Sequence, residues 1–167
     1  VRLCAEGALR TGVGLASVAT RRSGVAALVA ARPEAMTHAV EDAAALRPLV
    51  ERATVLAVGP GLGQGDWGRA LFAEALGSGK PLVLDADALN LLANHPVAVP
   101  QAILTPHPGE AARLLACDKG AVQADRFAAA EALAHRYRCV VVLKGAGTVV
   151  AAPGEVPAVI GAGNPGM

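Results

Sequence analysis

Four polar clusters contain the residues whose types and spacing suit ligand chemistry. The first, Gly59 to Gly68, holds five glycines in ten residues and opens as Gly59-Pro60-Gly61-Leu62-Gly63. Glycine reaches positive φ without strain and has no Cβ, so a ligand can approach peptide N–H groups directly. The second, Asp85-Ala86-Asp87-Ala88-Leu89-Asn90, begins with a carboxylate that closes an apolar run. Partly withdrawn from water, such a group requires hydrogen bonds, a cation or a metal-bound water. Asp87 is placed to cap the next helix, and Asn90 falls one turn along it, where it can face the same pocket. The third cluster, Thr105-Pro106-His107-Pro108-Gly109-Glu110, sets one imidazole between two prolines. Their restricted backbone keeps His107 out of a helix and on a stiff loop, suited to ligand contact or to a structural hydrogen bond. Glu110 enters the first turn of the following helix, where a carboxylate also simply favours the helix dipole. The fourth, Lys144-Gly145-Ala146-Gly147-Thr148, combines a cation, backbone donors and a hydroxyl, a set suited to phosphate.

Two common phosphate motifs fit poorly. Gly63-Gln64-Gly65-Asp66-Trp67-Gly68 reads literally as G-x-G-x-x-G, and Asp85 ends the next strand where a ribose-binding acid would stand. The preceding strand ends near Val58, however, so Pro60 and Gly61 intervene before the fingerprint begins. A Gly-rich turn needed only for tight packing is the plainer alternative. The Lys144 cluster lacks G-x-x-x-x-G-K-[ST], which argues against a P-loop, and a lysine there can also be structural, with its ammonium reaching water. His38, His95 and His135 have no comparable setting and read as surface or packing residues.

Each cluster begins where an apolar run stops. Runs at Leu15 to Ala19, Val55 to Val58, Leu82 to Leu84, Ala102 to Leu104, Val140 to Leu143 and Val149 to Ala152 read as strands buried on both faces. Helical stretches lie between them. Ala130, Leu133, Ala134 and Tyr137 repeat at i, i+3, i+4, i+7, with Asp125, Glu131, Arg136 and Arg138 elsewhere on that helix. Asp66 is placed to cap a helix through Leu71, Phe72, Ala75 and Leu76 that Gly77 and Gly79 punctuate. Pro48 is expected to break or kink the helix over Glu41 to Arg52. Alternating strands and helices predict an α/β domain with a mostly parallel sheet, and parallel strands would bring all four clusters to its carboxyl edge, where such sheets bind ligands.

The length of 167 residues is that of one domain. Fifteen basic against fourteen acidic residues give a net charge of +1 and no field for nucleic acid or anionic lipid. No uncharged apolar stretch approaches the roughly 20 residues that span a bilayer. Cys4, Cys117 and Cys139 form no C-x-x-C pair, which fits a reducing, cytoplasmic setting. The chain opens on Val1 in helix-like sequence and stops after Gly-Asn-Pro-Gly-Met, so truncation at both ends is expected.

In this order and at these separations the clusters resemble the ADP-dependent NAD(P)H-hydrate dehydratase family, a branch of the ribokinase-like superfamily. The resemblance runs from Gly7 to Thr20 through all four clusters to the terminal Gly163-Asn164-Pro165-Gly166-Met167. It implies a three-layer α/β/α fold and dehydration of the S epimer of hydrated NADH or NADPH, driven by ADP or ATP hydrolysis. Mg²⁺ would accompany the nucleotide, and a nucleotide phosphoryl group would activate the hydroxyl that leaves. Carried over to this chain, Gly63 and His107 contact the hydrated cofactor, and Pro108 to Glu110 shape that wall. Lys144, Gly145, Ala146, Gly147 and Thr148 line the ADP phosphates, while Asp85 and Asn90 lie near the reacting centre. The family's Gly-Thr-Gly-Asp segment, source of its catalytic base, follows the Asn-Pro-Gly-Met motif and would fall beyond Met167, and its N-terminal Gly-rich substrate segment would precede Val1. The expectation is therefore no catalytic base and no turnover in this chain alone. Fusion to a hydrate epimerase domain and assembly into a homo-oligomer are both compatible with the sequence. A ribokinase-like kinase of a small alcohol, of the hydroxyethylthiazole kinase type, and a non-catalytic nucleotide-binding module are the rival readings.

Overall fold

The computed structural model describes residues 1–162. The terminal Gly163-Asn164-Pro165-Gly166-Met167 that contributes to the resemblance lies outside the described residues. The chain opens with helix α1 (Arg2–Arg10), then strand β1 (Ser17–Thr20), helix α2 (Arg22–Ala31) and strand β2 (Met36–Ala39). β1 and β2 pair in parallel as a two-stranded sheet. Asp42 caps helix α3 (Ala43–Arg52) by accepting from the Ala45 N–H at 2.8 Å. Contrary to expectation, α3 runs on through Pro48. The missing N–H removes one internal bond, while the cap and the burial of Val50 remain.

A six-stranded sheet follows in strict chain order: β3 (Leu56–Val58), β4 (Leu82–Leu84), β5 (Ala102–Leu104), β6 (Val140–Leu143), β7 (Thr148–Ala151) and β8 (Ala158–Ile160). β3 to β6 are parallel, as the alternation of helix and strand signals predicts. β7 and β8 are antiparallel additions. The expected bounds of β4, β5 and β6 agree with the structure. The Val149 run starts one residue earlier and turns back on β6, because only the short Lys144–Gly147 loop separates them and a parallel return needs a long crossover. β2 was not expected. Met36-Thr37-His38-Ala39 mixes polar with apolar residues, and all three β8 residues are exposed.

The parallel strands are connected through α4 (Asp66–Gly77), α5 (Asp87–Asn94), and the run α6 (Pro108–Leu115), α7 (Lys119–Ala124) and α8 (Arg126–Tyr137). The larger core gathers Leu84, Leu89, Leu92, Leu104, Leu114 and Leu133 with Val141, Leu143 and the buried Tyr137. The Tyr137 hydroxyl donates to the Leu114 carbonyl at 3.1 Å, so its one polar atom is satisfied inside an aliphatic interior. Ala130, Leu133, Ala134 and Tyr137 are buried as their spacing predicts. The strands are not buried equally on both faces: Leu82, Leu84, Ala102, Leu104, Val141 and Leu143 point into the core, while Val83 and Val142 are half-buried and Ile103 is exposed. A run of Val and Leu states that a strand is apolar; which face is covered depends on what packs there.

Candidate functional site

All four polar clusters stand at the carboxyl ends of the parallel strands β3, β4, β5 and β6. The ends of β3 and β6 are three strand spacings apart, roughly 14 Å. The Lys144 N–H donates to the Pro106 carbonyl at 2.8 Å, which puts Lys144 and His107 on one rim. The Lys144 ammonium reaches past β5 to the Asp85 carboxylate at 2.6 Å, both side chains about one third exposed. Of the partners open to it, hydrogen bonds, a cation or a metal-bound water, Asp85 thus has a cation, supplied from 59 residues away.

Asp87 does not cap α5. Ala86 occupies the N-cap position and makes no side-chain cap bond; Asp87, the first helical residue, accepts instead from the Gly63 N–H at 2.8 Å. Between the two acids, Ala86 adopts φ 48°, ψ −119°, a conformation that costs a non-glycine residue on the order of 1–3 kcal/mol. This kink sends Asp85 toward Lys144 and Asp87 toward the Gly-rich loop. Asp66 likewise begins α4 without capping it; Gly65 holds the cap position, and the exposed Asp66 carboxylate pairs with Arg69. Asn90 accepts from Arg113 at 3.0 Å.

His107 caps α6. Its Nδ1 accepts the N–H groups of Gly109 (2.9 Å) and Glu110 (3.3 Å), while a Glu110 oxygen accepts the His107 N–H at 2.8 Å. This is a capping box built on imidazole. Glu110 is buried and its second oxygen lies 3.4 Å from Nε2, leaving His107 half exposed on the rim. The structural roles of His107 and Glu110 are therefore present, with the exposed edge of the ring available to a ligand.

The glycines divide by task. Gly59 has φ +134°, and a Cβ there would lie 1.7 Å from the Asp85 carbonyl oxygen, so this glycine is where β3 and β4 loops touch. At Gly68 a Cβ would meet the Gly63 carbonyl at 2.3 Å, a packing demand of α4 against the loop. Gly61 and Gly63 also have positive φ but face open space. They line, with Thr20, Arg21, Ser23 and Trp67, a hollow of about 360 Å³ between the α2 start and the Gly-rich loop. The residues from β1 and α2 in this hollow were not picked out from the sequence; Arg21 lies over the Trp67 ring at 4.6 Å, a contact no local pattern announces.

In the fourth cluster Gly145 and Gly147 have positive φ. Thr148 donates its hydroxyl to the Gly145 carbonyl at 3.2 Å, so this oxygen serves the loop itself as well as any ligand. Arg126, first residue of α8, donates to the Leu143 carbonyl at 3.1 Å and to the Ala146 carbonyl. Arg126 was also missed from the sequence; its signal is a cation in a first helical turn, where the dipole disfavours it.

Comparison with known proteins decides the family: a profile of NAD(P)H-hydrate dehydratases matches residues 1–167. The chain belongs to that family. It is 49% identical to the bifunctional NAD(P)H-hydrate repair enzyme of Coxiella burnetii over all of this chain and 34% of that protein. The chain thus spans about a third of the length of the curated relatives it matches. Among solved structures it superposes on the ADP/ATP-dependent NAD(P)H-hydrate dehydratase of Bacillus subtilis, crystallised with ATP and Mg²⁺ and soaked with CoA, with TM-score 0.80 at 28% identity, covering 98% of this chain and 60% of that one. A ribokinase-like superfamily protein of Enterococcus faecalis gives TM-score 0.87 at 26% identity, covering 99% and 59%. This dehydratase-family chain therefore has a ribokinase-like α/β fold with a mostly parallel sheet.

Proposed function

We propose that the protein dehydrates the S epimer of hydrated NADH and NADPH at the expense of ADP or ATP, and that the rim of β3 to β6 holds both ligands end to end. The observation that carries this reading is the Asp85–Lys144 pair, which reaches across the end of β5, where His107 stands, and joins the β4 end of the rim to the Lys144–Thr148 loop. Lys144 and the N–H groups of Gly145, Ala146, Gly147 and Thr148 hold the nucleotide phosphates. Gly63 and His107 contact the hydrated nicotinamide, Glu110 fixes His107, and Asp85 and Asn90 face the reacting centre. A phosphoryl group passes from the nucleotide to the hydrate oxygen as its hydroxyl proton is lost; that oxygen then leaves with the phosphate, the neighbouring ring carbon gives up a proton, and the electron pair of that C–H bond re-forms the ring double bond. For ADP the products are NAD(P)H, AMP and phosphate. Lys144 is suited to neutralise charge on the transferring group, and approach of a phosphate draws its ammonium away from Asp85.

Mg²⁺ travelling with the nucleotide would be held mainly by phosphates and water, the ordinary habit of this ion. Asp85 offers a carboxylate to such waters at the rim. Among the described residues no three His, Cys, Asp or Glu come together as a cage, and none is needed for a nucleotide-borne ion. The same reading makes it a cytoplasmic enzyme of nucleotide repair, in a longer protein that pairs this unit with a second activity, for which the family resemblance suggests a hydrate epimerase; that the relatives are named bifunctional repair enzymes supports a second activity. No described helix is long and apolar enough to cross a membrane.

The test is recovery of NADH absorbance from purified S hydrate by the longer protein that carries this unit, with and without ADP. Nucleotide-dependent recovery supports the reading. Formation of a phosphorylated small alcohol without recovery would replace it with a kinase, and binding of both ligands without any reaction would replace it with a nucleotide-binding module.

A further inference from the structure

A loop that receives phosphate must turn its carbonyl oxygens away from it, because lone pairs repel the anion as surely as N–H groups attract it. In Leu143 to Thr148 three carbonyls, those of Leu143, Gly145 and Ala146, are engaged from within the protein. Thr148 takes the Gly145 carbonyl, and one guanidinium takes the other two: Arg126 Nη2 donates to Leu143 O at 3.1 Å and Nη1 to Ala146 O. The guanidinium also lies flat enough against the turn that a Cβ at Gly145 would come within 2.9 Å of Nη2. Gly145 is thus required twice, for its φ of +150° and for the space that Arg126 fills.

Nothing in helix α8 itself calls for a cation at this position. A positive charge in the first turn opposes the dipole, and the cap is supplied by Asp125, which accepts from the Ala128 N–H at 2.9 Å. Arg126 Nε is buried without a hydrogen-bond partner among the described residues. A buried donor left unpaired carries a penalty, tolerated here where the two terminal nitrogens span a fork that lysine cannot match.

We infer that Arg126 is the positioning residue of the Lys144–Thr148 loop: by engaging the Leu143 and Ala146 carbonyls it leaves a loop that offers donors, and so sets its affinity for a nucleoside diphosphate. This rests on the reading of that loop as the nucleotide side of the rim. Arg126 does not touch the ligand; it acts through the carbonyls it holds, and its charge adds to that of Lys144 only at a distance.

The experiment is titration of the chain with ADP, monitored by calorimetry, for the wild type, Arg126→Ala and Arg126→Lys, with thermal melts of each. Arg126→Ala is expected to weaken ADP by about tenfold or more, the loss of two charge-assisted bonds that order the loop. Arg126→Lys keeps the charge but not the fork, and is expected to recover only a small part of that loss; it also carries the test if the alanine variant does not fold. Millimolar guanidinium should restore ADP binding to Arg126→Ala and leave the wild type unchanged, a response that a general loss of stability would not give. Wild-type affinity in Arg126→Lys would show that charge alone matters and overturn the inference, as would undiminished binding in a folded Arg126→Ala. Absence of ADP binding in the wild type would instead overturn the nucleotide reading of the loop, and the role of Arg126 with it.

Discussion

The rim carries two Gly-rich loops, and each is held by the first residue of a helix, but with opposite polarity. Asp87 at the start of α5 grips the Gly59–Gly68 loop through the Gly63 N–H. Arg126 at the start of α8 grips the Lys144–Thr148 loop through the Ala146 carbonyl and, just before it, the Leu143 carbonyl at the end of β6. An acidic anchor uses up a donor; a basic anchor uses up acceptors. The first loop is left with one N–H fewer to offer and the second with fewer free carbonyl oxygens, so two stretches alike in glycine differ in the groups they present. Similar composition at two strand ends thus produces unlike sites, and the difference lies in residues outside the loops.

The most severe way to break the contrast is at Gly59. Gly59→Ala places a Cβ 1.7 Å from the Asp85 carbonyl and is expected to cost roughly 3 kcal/mol or more in urea unfolding, whereas Gly61→Ala, strained only in φ, costs about 1 kcal/mol. Cys139 gives a second readout, since burial pushes its thiol up to about 12 and reaction with a thiol reagent near neutral pH reports opening of the core beside β6. Lys144→Met is expected to weaken ADP by tenfold or more while leaving the hydrate nearly unaffected, and His107→Ala to do the reverse. Equal losses of both ligands in both variants would dissolve the division of the rim. Asp87→Ala frees the Gly63 N–H; it should lower stability by about 1 kcal/mol and alter hydrate binding without touching ADP. The smallest effect is expected at Ala86→Gly, which relieves a strained backbone: a gain of up to about 1 kcal/mol in a thermal melt, accompanied by weaker binding as Asp85 and Asp87 lose their fixed divergence.

Much of this was legible in the chain because it is local. Leu82 to Leu84, Ala102 to Leu104 and Val140 to Leu143 are short apolar runs between breakers, and they are the strands. That each cluster follows one of them was enough to place the clusters on a common edge once parallel pairing held. The resemblance supplied the family, which the match over residues 1–167 bears out. What the sequence could not convey were partnerships across long separations. That Asp85 needs hydrogen bonds, a cation or a metal-bound water was visible, but not that Lys144 meets the need. Asp87 and Asp66 read as caps because caps are what acids near helix starts usually are; a shift of one residue gave the cap positions to Ala86 and Gly65 instead. Arg126 carried no motif at all, and its role appears only when α8 is seen to begin beside the end of β6.

The six strands of the larger sheet lie side by side in the order in which they occur in the chain. Over its parallel part, one step forward in sequence, from one strand to the next, is one step of about 4.8 Å along the rim. The rim is in this sense collinear with the polypeptide: lengthening a crossover helix changes what lies beneath the sheet without permuting the stations above it. A break in the chain at the far edge, such as between Gly79 and Leu82, would leave every station and its neighbours in sequence.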